Sequence, residues 1–181
     1  YSIYCAREYL KDTDIVLMHG DLVFENTIFD AVVKSEKSVM TVSSIAPLPE
    51  KDFKAVVENG KITRVGIEFF DNAVAAQPLY KITKEDWKIW LDKIVEYCEN
   101  DNCICYAENA FNEVSKYCNL YPLDVKNALC AEIDTQEDLA IITAKLKDVS
   151  NRTVYVCFSA EYLHSAHIAI IKKAQRYGKL I

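Results

Sequence analysis

The chain has 181 residues, a formal net charge of −6, 51% apolar and 27% charged residues. That is enough for one well-buried core and hardly enough for two. The acidic balance argues against general nucleic-acid binding, which needs a basic face against the phosphates, and no apolar run reaches the roughly 18 residues of a bilayer span.

The first residues, Tyr1-Ser2-Ile3-Tyr4-Cys5, lack the basic-then-apolar order of a signal peptide. The chain opens inside an amphipathic pattern (Ile3, Ala6, Tyr9, Leu10), as a segment of something longer would, and residues 2–11 read as the end of a helix. Asp14 to Met18 is a short apolar run between polar flanks, hence a buried strand, and His19-Gly20-Asp21 follows at its C-terminal end. Residues 24–35 carry helical spacing through Phe24, Ile28, Ala31 and Val32. Val39 to Val42 is a second buried strand, and Pro47 and Pro49 mark a loop. Phe53 to Val65 reads as a hairpin turning at Asn59-Gly60, the strongest short-range turn signal.

Gly66 to Phe70 and Pro78 to Ile82 are expected as further strands. Thr83-Lys84-Glu85-Asp86 opens a helix that runs to about Tyr97, with acids in its first turn. Another helix is expected over 108–118, a strand over 129–133, and a helix from Thr135 to near Lys147. Residues 148–152 read as a polar linker. A fresh strand over 154–158 and a helix from His164 to Tyr177 follow. Strands alternating with helices argue for an α/β fold with a mainly parallel sheet, in which ligands sit beyond the C-terminal strand ends.

Seven cysteines, an odd number without a CxxC pair, lie scattered through apolar segments. They read as reduced, buried thiols of a cytoplasmic protein. Cys103-Ile104-Cys105 has no second pair or nearby His to complete a zinc set.

The chemistry is carried by acids at strand ends. Asp21 follows the first strand; Glu132 and Asp134 close the strand over 129–133. Residues two apart on a strand face one side, so Glu132 and Asp134 point together. If the two strands are neighbours, three carboxylates converge and need a cation among them. Mg²⁺ fits, since it takes one or two carboxylates and completes its octahedron with water and substrate phosphates.

Val16-Leu17-Met18-His19-Gly20-Asp21-Leu22 and Glu132-Ile133-Asp134-Thr135-Gln136-Glu137-Asp138-Leu139 resemble, in order and separation, two blocks of the sugar-nucleotide transferase superfamily. The resemblance covers about residues 1–147 and is nearest to the phosphocholine and 2-aminoethylphosphonate cytidylyltransferases. It implies a Rossmann-like, three-layer nucleotidyltransferase fold that is incomplete at its N-terminus. It also implies Mg²⁺ held by Asp21, Glu132 and Asp134 against the phosphates of CTP. Tyr80-Lys81-Ile82 resembles the strand that precedes the helix bordering the acceptor pocket, which would bring Tyr80 and Lys81 to the bound substrates. One departure is large. Those enzymes begin with a glycine-rich, Arg-containing loop and a lysine segment, whereas this chain has four glycines, Gly20, Gly60, Gly66 and Gly178, none in a GxG.

The tail, Phe158 to His167, resembles the HxGH motif of the other large cytidylyltransferase class, with Ala166 in the glycine position and Glu161 where Asp is usual. By that resemblance His164 and His167 are catalytic, sharing one face at a helix N-terminus where phosphates bind. The expected organisation is a nucleotidyltransferase part over 1–147, a linker over 148–152 and the beginning of a second cytidylyltransferase-like domain over 153–181. The expected function is CMP transfer from CTP to a phosphocholine- or aminoethylphosphonate-like acceptor, with pyrophosphate released. The expected partners are these small molecules and other domains of a longer polypeptide, with neither nucleic acid nor membrane. The missing glycine loop keeps a second reading open, a catalytically incomplete fragment of a multidomain phosphonate or phospholipid-headgroup enzyme.

Overall fold

Asn59 and Gly60 both adopt left-handed backbone angles, with φ of 51° and 76°. Only glycine does so without steric cost, and this pair of angles matches the twist of two antiparallel strands. The turn joins β4 (Lys54–Glu58) to β5 (Lys61–Gly66) in the computed structural model, which describes residues 1–156 and 164–180. Earlier in the chain come α1 (Ser2–Leu10), β1 (Ile15–Met18), β2 (Leu22–Phe24), α2 (Asn26–Val33) and β3 (Val39–Ser43). After the hairpin come β6 (Ala73–Ile82), α3 (Lys84–Glu99), α4 (Ala107–Val114), β7 (Tyr121–Asp124) and β8 (Cys130–Glu132). The C-terminal part holds α5 (Gln136–Asn151), β9 (Thr153–Val154), α6 (Ser165–Ala174) and β10 (Lys179–Leu180).

The ten-residue β6 organises the central sheet, whose order is β5-β4-β6-β3-β7 with β1 also on β6. One edge of β6 takes β4 near its start and β1 near its end, while β3 runs along the other edge. All three pair antiparallel with β6, and β5 pairs antiparallel with β4; within this sheet only β3 and β7 are parallel. The α/β class stands, but the expected mainly parallel pairing is corrected. Hydrophobic patterning locates strands without giving their direction, and a two-residue hairpin can join only antiparallel neighbours.

Adjacent residues of β6 serve opposite faces. Tyr80 joins Met40, Trp87, Trp90, Ile94 and Phe111 under α3 and α4. Leu79 joins Ile28, Val32, Val39 and Cys130 under α2. Helices therefore cover both faces, and the sheet is the middle of three layers.

Three local expectations change. Of the expected strand from Gly66 to Phe70, only Gly66 is strand, as the last residue of β5; residues 67–70 form a bend and irregular chain. β7 was not anticipated: its four residues include Pro122, a poor strand former. The expected linker over 148–152 is, up to Asn151, the last turn of α5. That stretch contains no Pro or Gly that would end a helix.

β9 and β10 pair in parallel, and Gly178 (φ 151°) lets them close. A Cβ there would stand 2.2 Å from the carbonyl oxygen of Arg152. Ion pairs from Arg152 to Glu25 and from Arg176 to Asp30 tie this unit to α2. Of the expected strand over 154–158, β9 takes only Val154, residues 155 and 156 are not strand, and residues 157 and 158 lie outside the described residues. No helix among those described is long and apolar enough to cross a membrane.

Candidate active site

Two turns meet at the site. After β1 the chain bends at His19, whose N–H donates to the Pro78 carbonyl at 3.1 Å. It then enters β2, which pairs antiparallel with β8 in the register Leu22–Glu132, Val23–Ala131 and Phe24–Cys130. One step further, the Ile133 N–H donates to the Asp21 carbonyl at 3.0 Å. This small ladder was not foreseen in the sequence, yet it is what brings Asp21 to Glu132.

One ligand atom each from His19, Asp21 and Glu132 lie within 4.8 Å of one another. They open on a cavity of about 150 Å³ also lined by Lys51, Asp52, Phe53, Tyr106 and Asp134. Asp134 thus shares the cavity but stands outside the tight trio. A mixed imidazole and carboxylate set of this size suits a divalent cation. Phe53 presents edge contacts to His19 and to Tyr106, with ring centroids 5.5 and 4.9 Å apart.

The acids are held by a chain of polar contacts. The Tyr80 hydroxyl donates to Glu108 Oε1 at 2.8 Å. Glu108 Oε1 stands 3.5 Å from His19 Nε2, and His19 Nδ1 is 2.9 Å from Glu132 Oε1. Glu108 is 2% exposed. The carboxylates of Glu108 and then Glu132 raise the His19 imidazole to about 10 against the opposing effect of burial. The ring is therefore an imidazolium at neutral pH and supplies the positive charge that clustered acids require. Burial, then the Glu108 carboxylate, pushes the Tyr80 phenol well up, so it remains a donor. Asp52 is raised by burial first and then by Glu132, Asp134 and Asp138.

Tyr80 and Lys81 do not border this cavity. Tyr80 is sealed in the core at 0% exposure, so in place of the expected direct contact with bound substrates it supports Glu108. Lys81, its neighbour on the strand, points the other way and pairs with Asp14 at 2.7 Å. His164 is exposed and His167 half-buried at the start of α6, their rings 3.9 Å apart, and neither lines the acid cavity. Residues 158–163 of the HxGH-like segment lie outside the described residues.

His19, Asp52, Tyr106 and Glu108 are the site residues that sequence reasoning passed over. His19 lay in plain view beside Gly20-Asp21. Glu108 carried no signal, because its role depends on α4, packed against α3 and β5, bringing it to Tyr80 and His19.

No family model matches the chain, and no curated protein matches it. Solved structures do. A T. maritima inositol-1-phosphate CTP transferase is 20% identical, with a TM-score of 0.60, over 82% of this chain and 60% of that one. The CTP:phosphocholine cytidylyltransferase of Streptococcus pneumoniae is 14% identical, with a TM-score of 0.62, over 81% and 62%. A putative glucose-1-phosphate thymidylyltransferase from Bacillus anthracis is 14% identical, with a TM-score of 0.62, over 88% and 62%. The chain has the fold of these nucleotidyltransferases and spans about 60% of the length of the first of them.

Proposed function

We propose that the chain carries the metal-binding and acceptor-binding part of a nucleotidyltransferase that moves CMP from CTP to a phosphorylated or phosphonate amine. The observation that carries this reading is the meeting of Asp21 with Glu132 through the β2–β8 ladder, at one cavity with Asp134. Likeness in fold to transferases of CTP and phosphocholine supports it, as does the motif resemblance of the two acidic blocks.

Asp21, Glu132 and Asp134 would hold a divalent cation, for which the resemblance implies Mg²⁺. When bound, the cation neutralises charge developing on the leaving pyrophosphate. In the transfer, an oxygen of the acceptor's phosphate or phosphonate bonds to the α-phosphorus of CTP. The bond from that phosphorus to the bridging oxygen breaks, and pyrophosphate departs with the electron pair. The chain's own part is positioning, which dominates phosphoryl and nucleotidyl transfer. An acceptor bearing an ammonium group suits the walls: Phe53 and Tyr106 offer aromatic surface, and Asp52 offers negative charge.

Calorimetric titration with CTP and a divalent cation tests the reading. Cation-dependent CTP binding that disappears in Asp21→Asn is the expected result. Binding that is indifferent to the cation and to Asp21→Asn would sink it.

A further inference from the structure

The geometry points to His19 as a nitrogen ligand of the bound cation beside the carboxylates, and so to a divalent ion that accepts imidazole more readily than Mg²⁺ does, such as Mn²⁺ or, further along the series, Co²⁺. The inference rests on the transferase reading of the same cavity and sharpens what that cavity binds.

The ring already stands inside the donor set, one nitrogen within 4.8 Å of a carboxylate oxygen of Asp21 and of Glu132. Its two nitrogens have different neighbours. Nδ1 faces Glu132 Oε1 at 2.9 Å, on the side of the cavity. Nε2 faces the buried Glu108 carboxylate at 3.5 Å, and the Tyr80 hydroxyl fixes that carboxylate from behind at 2.8 Å. A carboxylate that accepts one ring N–H sets the tautomer and turns the other nitrogen toward a metal. Tyr80, Glu108 and His19 stand in that order, and Nδ1 is the nitrogen turned toward Glu132.

The ring is also held where it is. The edge of Phe53 packs against it with centroids 5.5 Å apart, and the His19 N–H is tied to the Pro78 carbonyl. A cation entering between Asp21 and Glu132 therefore meets the imidazole beside them. Binding exchanges the Nδ1 proton, released to solvent, for a bond from the Nδ1 lone pair to the ion. Mg²⁺ draws its ligands from oxygen. An imidazole in the set shifts preference along the divalent series from Mn²⁺ toward Co²⁺.

Pulsed electron paramagnetic resonance of the full chain with Mn²⁺ reads this without any variant, as ¹⁴N modulation from a directly bonded imidazole nitrogen. Titrations are expected to show Mn²⁺ bound more tightly than Mg²⁺. His19→Gln should weaken Mn²⁺ by about tenfold or more and affect Mg²⁺ far less. Bound Mn²⁺ without nitrogen coupling, released by Asp21→Asn yet indifferent to His19→Gln, overturns the inference and leaves the transferase reading standing. Mn²⁺ that fails to bind, or binds regardless of Asp21→Asn, overturns both. Should His19→Gln not fold, the wild-type spectrum decides alone.

Discussion

Leu22 lies directly opposite Glu132 in the β2–β8 ladder. That register sets the geometry of the site. Asp21, one residue before Leu22, comes beside Ile133 with Glu132 and Asp134 on either flank. A slip of one residue would turn Glu132 to the other side of the ladder, because side chains alternate along a strand. The ladder is three residue pairs long and is not part of the central sheet. The site's acids are therefore aligned by a small, locally held element.

Ile133→Pro tests that dependence. The substitution removes the N–H that donates to the Asp21 carbonyl at 3.0 Å. Loss of one such bond costs about 1 kcal/mol, with more from misfit of the proline ring. The central sheet and its aromatic core do not use this bond, so the protein should still fold, with a lowered melting temperature. Cation affinity should fall as far as in Asp21→Asn. Thermal melting beside Mn²⁺ titration separates the two effects, and a normal affinity would show that the register is not what positions Asp21.

Much of this architecture was legible because it rests on local patterning. The Asn59-Gly60 hairpin, the strand over 39–42 and the helix from Thr83 each follow from turn chemistry, apolar runs or capping residues. The acidic strand ends were legible for the same reason. The pairing that unites them was not, since Leu22-Val23-Phe24 is too short to stand out beside the helical spacing that follows. Glu108 was also invisible. A buried glutamate on a helix resembles any surface acid until packing brings Tyr80 and His19 to it. The direction of the strands around β6 lay beyond reach too, because patterning carries no sign of direction.

Trp90→Phe should loosen the support of Glu108. The Trp90 indole N–H donates to the Ala107 carbonyl at 2.7 Å, at the first residue of α4 and next to Glu108. The ring also packs among Tyr80, Trp87 and Phe111. Phenylalanine retains much of the apolar contact and removes the indole donor, leaving the carbonyl its bond within the helix. The expected cost is about 1–2 kcal/mol, from the lost hydrogen bond and the lost ring volume. Denaturant unfolding measures it. Amide exchange across residues 106–109 should accelerate more than exchange in β3.

Lys81 gives a prediction in pH. Its ammonium, hydrogen-bonded to Asp14, and the Lys84 N–H hold the Asp14 carboxyl below the ordinary aspartate range. A depressed folded value means the pair stabilises the fold above roughly pH 4. That contribution fades as pH falls through the depressed value. The pair is largely exposed on the Asp14 side, so its effect is small. In Lys81→Met the Asp14 carboxyl should titrate at a higher pH by carbon-detected NMR, with CTP affinity unchanged. A loss of CTP affinity would return Lys81 to the nucleotide site.

Lys54 is fully buried at 0% exposure on β4, and its ammonium acts on the Asp52 carboxyl against the raising effect of burial and of the nearby acids. It donates to the carbonyls of Pro49 and Asp52 at 2.5 and 3.0 Å and lies 4.3 Å over the Phe70 ring. It therefore pins the loop that presents Asp52 and Phe53 to the acid cavity. Two opposing effects govern Lys54→Met. Removing a buried charge is favourable, whereas two carbonyls lose a charged donor, each bond being worth about 1.5–3 kcal/mol. These nearly cancel, so global stability should change little while the loop over 49–53 opens locally. Amide exchange at Asp52 and Phe53 should rise while that of β6 holds. Affinity for an ammonium-bearing acceptor should weaken, because the wall formed by Asp52 and Phe53 is no longer fixed. A variant with a broadly lowered melting temperature and uniform exchange would make Lys54 a general core residue with no particular hold on this loop.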